Sequence, residues 1–587
     1  MIVTSIDLLN HLRCRRYSAL HSKEREVEYF DIDFVTEAFS LELEGKACLQ
    51  DEFPERRNAL NVPIHSSRNL KNLFQKIVLP NSPSMLETPF ERTFENEFQL
   101  RTKPDFIVSK GETLELIKIH ASTDNHYLSM HYTLNKHKID LFEKNEEGYY
   151  SPKVEVLSEA ANTNYYEKMK RCMSRHYDTG RIVYDLAFQE FIMKSVFPSK
   201  TRKYIVGLLN HDFSLQKKET GEIEYDKSLF VLFDFTSLVM KLQDKIQADL
   251  YRMINHIELN DDSRCLLVKN ECLKGEQFSC EYTDFCFSHV PENNSILSYF
   301  FSHLGFKEGT HRNDKVHETY DLLNEGMVDM LDVPISWLQR EKNLMQRYCV
   351  ENDYTYVNKK KIKAYLNQIS YPLYFLDFES YPSPIPRFEF EKPYSQSVFQ
   401  YSIHIELSSN INKLIHKEFL ATDYTDQRKN LVKQLLDDIP VGNSKIVVYN
   451  MSFEQQRLQE FKTFFPEYAE RLDEIQSRLF DLMKLLKNDL RYFADLGYSK
   501  EEAETYNFYH PMQNGSYSIK KILKAFGIDS YEKMRVQNGI MAYKMYLELG
   551  HLKNAELKEA IFDLKTYCWQ DTYSMVVILD KIQRLIR

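Results

Sequence analysis

The stretch YPLYFLDFESYP, residues 371–382, decides the fold of the C-terminal part of the chain. An apolar run leads directly into Asp377-Phe378-Glu379. Because side chains alternate between the two faces of a strand, this run predicts a buried strand with both carboxylates on one face. Carboxylate oxygens are the ligands that hard divalent cations prefer. The stretch therefore predicts a strand that ends in a metal site.

Two further groups of polar residues follow this strand. The apolar run KIVVYN leads into MSFE, and TYCWQDT lies near the end of the chain. Tyr567 and Asp571 are four residues apart, so they share one face of a predicted helix. The positions of interest in the two groups are Asn450, Phe453, Glu454, Tyr567 and Asp571.

These motifs together resemble the DEDD-type, DnaQ-like 3'-to-5' exonucleases of the ribonuclease H-like superfamily. In that group a strand with D-x-E, a helix with an acid after N-x-x-F and a helix with Y-x-x-x-D converge on two metal ions. The neighbouring runs RLFDLMKLLKN, NFYHPMQNGSYSIKKILKAFG and YCWQDTYSMVVILDKI resemble the bacterial family called domain of unknown function 2779 (DUF2779). The resemblance extends from about residue 368 to the C-terminus. It predicts a ribonuclease H-like exonuclease domain over residues 368–587.

The resemblance implies a role for each matched residue. Asp377 would bridge two Mg²⁺ or Mn²⁺ ions, and Glu379 and Asp571 would complete the carboxylate set. Glu454 stands where the superfamily usually has Asp, and its longer side chain would reach a metal through a water. Tyr567 would orient the attacking water. The candidate substrate contacts are Asn450, Phe453, His510 and Lys520.

Some of these positions have a second interpretation. Asn450 and Phe453 are also expected to position the helix that carries Glu454. A solvated loop is an equal alternative for His510 and Lys520. A further acid, in the run FDLMK, is expected to cap a helix rather than to join the metal ligands.

The element order predicts the fold class. Strands YPLYFLDFE, SVFQYSIHI and LIHKEFL precede the helix DQRKNLVKQLLDDI, the strand KIVVYN and the helix SFEQQRLQEFKTFF. This order is typical of a mixed sheet with flanking helices. We therefore expect a multi-domain α/β protein, in which residues 291–367, with helical spacing of apolar residues, form a helical connector.

The cysteines suggest a second cofactor. Three of the nine lie in ECLKGEQFSCEYTDFCF, and one lies far upstream in LLNHLRCRRYSAL. A distant cysteine followed by a three-cysteine tail resembles the iron-sulfur nucleases of the Cas4 and RecB-like group, which implies that residues 1–290 are a divergent member. The implied ligands of a 4Fe-4S cluster are Cys14, Cys272, Cys280 and Cys286. The C-x7-C-x5-C spacing departs from the C-x2-C-x5-C of the group, so zinc and plain thiols are alternatives.

The same N-terminal region resembles a PD-(D/E)xK nuclease core that has lost its metal site. Asp105 fits the first acidic position, but Lys118 stands where the second acid belongs and His120 where the lysine belongs. Glu115 is expected on the opposite face of the strand, unless a one-residue bulge turns it back. The resemblance therefore implies a catalytically degenerate domain.

The bulk composition sets limits on partners. The 587 residues are 43% hydrophobic and 28% charged, with a net charge of -10, which gives no general attraction for nucleic acid. The basic runs KMKRCMSRH and NKKKIKAY are interpreted as solvated helix faces. The first residues predict an amphipathic helix rather than a signal peptide, and no apolar window reaches the length of a membrane span. We expect a cytoplasmic protein without membrane contact.

The motifs predict a metal-dependent nuclease. The leading hypothesis is a 3'-to-5' exonuclease that hydrolyses phosphodiester bonds of single-stranded DNA or RNA by a two-metal mechanism. The alternative is a noncatalytic nucleic-acid-binding or assembly subunit of a repair or defence complex, with a helicase as a candidate partner.

Overall fold

The computed structural model describes most of the chain. The residues that it describes are 1–23, 63–81, 89–95, 97–134, 136–153, 159–218, 223–261, 263, 266–268, 271–272, 280–409, 413–423, 425–528 and 531–587. They form a mixed α/β structure with several sheets and many helices, as the sequence predicts.

The described residues divide into two compact units. Unit 1 contains those from 1 to 286 together with 383–395, and unit 2 contains those from 287 to 382 and from 396 to 587. The insertion 383–395 belongs to unit 1 through its own hydrogen bonds. The Tyr394 hydroxyl donates to the Ala121 carbonyl (2.7 Å), and the Leu215 amide donates to the Glu391 carbonyl (2.9 Å).

Unit 1 is built around a six-stranded sheet. The strands of this unit are β1 Ile2–Val3, β2 Phe90–Phe94, β3 Phe98–Thr102, β4 Phe106–Lys110, β5 Thr113–Thr123, β6 His131–Leu134, β7 His137–Asp140, β8 Phe142–Lys144, β9 Tyr150–Pro152, β10 Thr201–Leu209 and β11 Phe230–Asp234. The large sheet has the order β4-β5-β10-β11-β9-β8, with β5 and β10 parallel. Smaller sheets are formed by β1-β3-β2 and by β6-β7.

The helices of unit 1 surround a long buried helix. They are α1 Ser5–His11, α2 Arg15–Lys23, α3 Pro63–Val78, α4 Asn125–Leu128, α5 Glu159–Arg171, α6 Asp178–Val196, α7 Thr236–Lys241, α8 Gln243–Leu259 and α9 Thr283–Cys286, with a 3-10 turn at Lys227–Leu229. Helix α6 is buried on all sides from Thr179 to Met193. Its run RIVYDLAFQEFIM is mostly apolar, as expected of a helix inside a core, and its polar residues Arg181, Asp185, Gln189 and Glu190 are also buried.

Unit 2 contains a five-stranded mixed sheet. Its strands are β12 Phe306–Lys307, β13 Val316–His317, β14 Tyr356–Val357, β15 Leu373–Pro382, β16 Gln396–Glu406, β17 Leu414–Leu420, β18 Ile446–Val448, β19 Leu479–Asp481 and β20 Phe508–Tyr509. The order of the large sheet is β17-β16-β15-β18-β19. The pairs β17-β16 and β16-β15 are antiparallel, and the pairs β15-β18 and β18-β19 are parallel.

The helices of unit 2 include the longest of the described chain. They are α10 Thr319–Asn324, α11 Glu341–Glu351, α12 Lys359–Leu366, α13 Arg428–Asp438, α14 Ser452–Phe464, α15 Ala469–Ser477, α16 Leu482–Leu486, α17 Leu490–Asp495, α18 Lys500–Glu504, α19 Ile519–Ala525, α20 Gly539–Glu548 and α21 Asn554–Ile586. Single 3-10 turns lie at Ile296–Ser298, Ser302–Leu304, Met330–Asp332, Ile335–Trp337, Pro466–Tyr468 and Pro511–Gln513.

Residues 291–367 differ from the helical connector that the sequence suggests. They belong to unit 2, and they contain short strands as well as helices. Strand β12 pairs with β13, and β14 pairs with β20 of the C-terminal region. The apolar spacing of this segment therefore serves packing within unit 2 rather than a separate helical body.

The two faces of the five-stranded sheet carry different residues. Leu376 and Phe378 on β15 enter a hydrophobic core formed with α13, α14 and α15. Asp377 and Glu379 point to the other face, because successive side chains of a strand alternate. Helix α21 packs on that face against β15 and β16.

Among the described residues, no helix is both long enough and apolar enough to cross a membrane.

Candidate metal centre

The two acids lie on β15 beyond the point where β15 stops pairing with β18. Strand β15 pairs with β18 only at Tyr374 and Phe375, whereas its pairing with β16 continues beyond Glu379. The register of β15 against β16 shifts directly after Glu379. Asp377 and Glu379 therefore lie in the middle of β15, directly beyond the last residue that pairs with β18, and clefts commonly form where neighbouring parallel strands end.

Three side chains converge at this point. Ligand atoms of Asp377, Glu379 and Cys568 all lie within 4.8 Å of one another. The Cys568 thiol lies 3.8 Å from Oδ2 of Asp377. Burial, followed by the charges of Asp377 and Glu379, raises the pKa of Cys568 well above its usual value. The group concentrates negative charge in a buried place, which favours a bound cation.

The helix α21 is fixed over this face by polar contacts with β16. The Gln400 side-chain amide donates to the Leu564 carbonyl (3.0 Å). The Thr572 hydroxyl lies 2.9 Å from the Ser402 hydroxyl and 2.8 Å from Nδ1 of His404. These bonds set the helix rotation that turns Cys568 toward the strand.

Asp571 lies beside the three-residue group but is held by a separate partner. The Tyr531 hydroxyl donates to Oδ1 of Asp571 at 2.5 Å. The charge of Asp571 contributes to the raised pKa of Cys568, so the two side chains are electrostatic neighbours. Burial and then Asp571, with a smaller effect of Asp377, raise the pKa of Tyr531 above its usual range.

Glu454 is buried in the first turn of α14. Burial, with a smaller contribution from the charge of Asp481, raises its pKa to about 8. Its Oε2 atom has no hydrogen-bond partner. Among the described residues, one group of three or more candidate ligand atoms lies within 4.8 Å, and it contains neither Glu454 nor Asp571. The structure thus brings together two of the four predicted acids and places the other two outside this group.

The turn before α14 is organised by Asp481. This residue accepts hydrogen bonds from the amides of Asn450 and Met451 (both 3.2 Å) and caps α16 through the Met483 amide (2.9 Å). The prediction that the acid of FDLMK caps a helix is confirmed. Asn450 adopts a left-handed φ of 63°, a conformation that asparagine tolerates well.

The remaining predicted positions lie in packed surroundings. Tyr567 is 2% exposed, and its ring meets that of Tyr531 edge-on at 6.3 Å. Phe453 packs partly buried against the core, with the Arg457 guanidinium 4.9 Å from its ring centroid.

The two loop positions have defined local bonds. Nδ1 of His510 accepts from the Met512 amide (3.1 Å), so the side chain caps a 3-10 turn. Nζ of Lys520 donates to the Gln537 carbonyl (2.6 Å) and lies 5.2 Å from the centroid of the Tyr531 ring. The side chain of Tyr531 thus contacts both Lys520 and Asp571.

In unit 1 two buried acids are paired with lysines. Asp105 is buried and accepts from the Ile119 amide (2.8 Å) and from Nζ of Lys71 (2.9 Å). Nζ of Lys118 donates to Asp185 on α6 at 2.6 Å. An ammonium group thus neutralises each of these two carboxylates.

The other two residues of this motif also follow the alternation of β5. Glu115 bonds Nζ of Lys110 (2.7 Å) on the neighbouring strand. His120 is buried, with Nδ1 3.0 Å from the Ser122 hydroxyl. Glu115 and Lys118 therefore have different partners, as expected for side chains on opposite faces.

The N-terminal helices meet the cysteine tail. The Arg13 guanidinium donates to the Glu271 carbonyl (3.1 Å), Tyr17 donates to Glu281 (2.6 Å), and Arg16 lies 3.7 Å from the Cys286 sulfur.

The sulfur atoms of the tail are near one another without forming a closed set. Burial raises the pKa of Cys280 to about 11, with smaller effects of Cys272 and Cys286. In the described part of the chain, no three of the four predicted cysteine ligands have sulfurs within 4.8 Å of one another. Cys14 lies between α1 and α2, in the segment that contacts the tail.

Comparisons with known proteins identify the sequence class of the central part of unit 2. Residues 374–518 match the family model described as "Domain of unknown function (DUF2779)". The predicted resemblance is confirmed over this segment, which is shorter than the range from 368 to the C-terminus. It contains Asp377, Glu379 and Glu454 and ends before α21.

The chain is also similar to curated proteins of Mycoplasma and Ureaplasma species. "Uncharacterized protein MG366" of Mycoplasma genitalium is 29% identical over 245 residues, which cover 39% of this chain and 34% of that protein. Its Mycoplasma pneumoniae homolog is 28% identical over 237 residues (37% and 33%). "Uncharacterized protein UU173" of Ureaplasma parvum is 24% identical over 267 residues (42% and 37%). The chain spans about a third of the length of these relatives. No solved structure matches it.

Two residues of the site were missed by sequence reasoning. Cys568 lies inside the motif Tyr567-x-x-x-Asp571 and looks like a core position, although its i, i+3 relation to Asp571 places both on one helix face. Tyr531 lies 40 residues before its partner Asp571, in a run without any motif. Only the tertiary fold brings this hydroxyl to the carboxylate.

Proposed function

We propose that unit 2 is a ribonuclease H-like, DEDD-type nuclease that hydrolyses phosphodiester bonds of single-stranded DNA or RNA from the 3' end. The observation that carries the proposal is the convergence of Asp377 and Glu379 of β15 with Cys568 of α21, with Asp571 as an electrostatic neighbour of Cys568. The sheet order β17-β16-β15-β18-β19, with β16 antiparallel to its neighbours, supports it as the mixed sheet that the resemblance implies.

The proposed donor set for two divalent cations joins the two acids of this group with two acids outside it. Asp377 and Glu379 supply hard oxygen atoms on one strand face, and Asp571 would supply another from the facing helix. Glu454 would supply a fourth carboxylate from the start of α14, through its unpartnered Oε2. Two Mg²⁺ or Mn²⁺ ions bound there would activate water and neutralise charge on the phosphate and on the leaving oxygen.

Each residue of the site has a proposed role. Asp377 and Glu379 would hold the ions beside β15, and the Tyr531 hydroxyl would fix the carboxylate of Asp571. Tyr567 would orient the attacking water, as the matched motif implies. Asn450 would set the start of α14, because its backbone amide is bound by Asp481.

A basic aromatic surface supports a nucleic-acid substrate. Phe301 is 42% exposed in a left-handed conformation (φ 60°), which is rare for a bulky residue and often marks functional sites. The cationic groups of Arg340 and Lys342 each lie 5.9 Å from its ring centroid. Aromatic rings between cations bind single strands by base stacking and phosphate contact.

This surface is connected by direct contacts to the turn before α14, the helix that carries Glu454. The ring of Phe300, adjacent to Phe301, stacks on Tyr517 at 5.8 Å. The Tyr449 hydroxyl donates to the Tyr517 carbonyl at 2.5 Å, and Tyr449 precedes Asn450 at the end of β18. A nucleic-acid strand bound at Phe301 would be linked to the start of α14 through the contacts Phe300–Tyr517 and Tyr517–Tyr449. Weaker binding of a labelled single strand by Phe301→Ala than by wild type, measured without metal, tests this placement.

Unit 1 is proposed as a degenerate Cas4/RecB-like module. Its support is the pairing of Asp105 with Lys71 and of Lys118 with Asp185, which leaves the degenerate core neutralised by lysines. The proximity of the N-terminal helices to the cysteine tail supports a 4Fe-4S cluster held by Cys14, Cys272, Cys280 and Cys286. Iron and sulfide content and the visible absorbance of anaerobically purified protein test the cluster, with zinc content as the competing result.

The alternative function is a noncatalytic nucleic-acid-binding or assembly subunit that docks a partner such as a helicase. The observation in its favour is the neutralised core of unit 1. Incubation of the full chain with 5'-labelled single-stranded oligonucleotides, with and without Mn²⁺, separates the two. A metal-dependent ladder from the 3' end supports the nuclease, whereas retention of the intact strand under both conditions supports the binding subunit.

A further inference from the structure

We infer that Cys568 is itself a metal ligand, and that one ion of the proposed centre is a divalent ion that accepts sulfur, such as Zn²⁺, rather than Mg²⁺. The inference rests on the proposed metal centre but not on hydrolysis. Its basis is the group of two carboxylates and one thiol whose ligand atoms lie within 4.8 Å of one another.

The thiol is placed by the fold rather than by chance packing. Helix α21 is bonded to β16 through the Leu564 carbonyl and the Thr572 hydroxyl, one turn before and one turn after Cys568. These two bonds fix the rotation of the helix about its axis, so the Cys568 sulfur faces Oδ2 of Asp377 at 3.8 Å.

An independent feature beside the group also calls for a ligand. Gln400 is fully buried and is the cross-strand partner of Glu379, so both side chains lie on one face of the sheet. Its Nε2 atom is bonded to Leu564, but its Oε1 atom has no hydrogen-bond partner. A buried acceptor without a hydrogen-bond partner destabilises the folded state. A water on a bound metal ion would satisfy it.

The donor types select the ion. Mg²⁺ requires oxygen ligands in near-octahedral geometry, whereas Zn²⁺ accepts thiolate, imidazole and carboxylate together. On binding, the Cys568 S–H bond breaks, its electron pair goes to the metal, and its proton goes to the buffer. No oxidant or reductant is needed.

Cobalt absorption tests the ligand directly, because thiolate bound to Co²⁺ gives a charge-transfer band that carboxylate ligands do not give. Chelator-treated full-length protein is titrated with Co²⁺, as wild type and as Cys568→Ser. Cys349→Ser is the matched control, since Cys349 is a fully buried cysteine of the same unit outside the group. Thiols of unit 1 contribute equally to all three spectra and disappear in the differences.

We expect the band to fall in Cys568→Ser and to remain in Cys349→Ser. The affinity for Zn²⁺ should fall by about tenfold or more in Cys568→Ser, since even changing an outer partner of a ligand costs that much, while Mg²⁺ affinity stays unchanged. Equal bands in wild type and Cys568→Ser would overturn the inference.

A second measurement covers the case in which Cys568→Ser fails to fold. Zn²⁺ should protect Cys568 of the wild-type protein from N-ethylmaleimide in partly denaturing buffer, as read by peptide mass spectrometry, whereas Cys349 should react equally with and without Zn²⁺. Equal labelling of Cys568 with and without Zn²⁺ contradicts the inference. A cobalt band without strand hydrolysis keeps this inference and removes the proposed function. Hydrolysis without a Cys568-dependent band does the reverse.

Discussion

At the scale of single residues, two tyrosines compete for a role at Asp571. The motif assigns the water-orienting tyrosine to Tyr567, but the hydroxyl bonded to the carboxylate belongs to Tyr531. The two roles have different kinetic signatures, because one group positions a metal ligand and the other acts on the water.

Two matched variants separate these roles. Tyr531→Phe removes the hydroxyl from Asp571, so the Mn²⁺ concentration for half-maximal hydrolysis should rise by about tenfold with little change in the rate at saturating Mn²⁺. Tyr567→Phe should lower the saturated rate by about 10²-fold, as expected for loss of a group acting on the proton or nucleophile. Metal titrations of the rate measure both, and the opposite pattern would exchange the two assignments.

The buried side chain of His404 should make the free energy of unfolding depend on pH. Burial, with a smaller effect of His416, lowers its pKa to about 3, so the ring is neutral against Thr572. The unfolded chain binds a proton with the usual pKa of 6.5. The contribution to stability is therefore complete above pH 6.5 and is lost as the pH falls from 6.5 toward 3.

The variant His404→Asn keeps a neutral polar group for Thr572 and removes this proton. Between pH 7.5 and pH 5 the wild type should lose about 2 kcal/mol more unfolding free energy than the variant. Tryptophan fluorescence is a suitable probe, because both tryptophans lie in unit 2 and Trp569 is 5.0 Å from the His404 ring. Parallel pH dependence of the two proteins would show that His404 does not titrate as described.

The acids of the site could be predicted from the sequence more readily than the residues beside them. Asp377 and Glu379 were predictable because strand alternation is a local rule. The hydroxyl of Tyr531 and the acceptor of Gln400 were not, because they reach the site through contacts distant in sequence. Glu454 was found by its motif, but its raised pKa depends on burial, which spacing does not reveal.

At the scale of elements, the sheet of unit 2 follows its hydrophobic pattern closely. The predicted strands and the two helices after them are present, with ends shifted by a few residues. The interpretation of the basic run NKKKIKAY as a solvated helix face is wrong at Lys361. Lys361 is 1% exposed, and its ammonium donates to the carbonyls of Glu502 (3.0 Å), Ala503 (3.3 Å) and Thr505 (2.6 Å). A buried cation at the carboxyl end of α18 has favourable electrostatics, but charge patterning alone does not predict it.

Replacement of this lysine should weaken the packing of α12 on α18. Lys361→Met leaves three carbonyls without their donor, which should lower unfolding free energy by about 1–3 kcal/mol. Lys359→Met, at an exposed position of the same helix, is the control and should change stability little. Denaturant unfolding followed by tryptophan fluorescence measures both. Equal midpoints for the two variants would mean that the carbonyls find other donors.

At the scale of the whole molecule, the two units differ in how their buried acids are arranged. In unit 1 the ammonium groups of Lys71 and Lys118 pair with Asp105 and Asp185. In unit 2 two carboxylates and a thiol converge. The division near residue 287 lies close to the predicted boundary at 290, whereas the assignment of 383–395 to unit 1 could not be read from local sequence, because it depends on long-range hydrogen bonds.

We propose that the chain cuts nucleic acid at Asp377 and Glu379 of β15 and not in unit 1. The most direct measurement is Mn²⁺-dependent hydrolysis of a 5'-labelled single strand by the protein, as wild type, Asp377→Ala, Asp105→Asn and Glu470→Ala, the last an exposed acid of α15. We expect a ladder from the 3' end that disappears in Asp377→Ala and persists in the other two variants. Cleavage that survives Asp377→Ala but is lost in Asp105→Asn would contradict it.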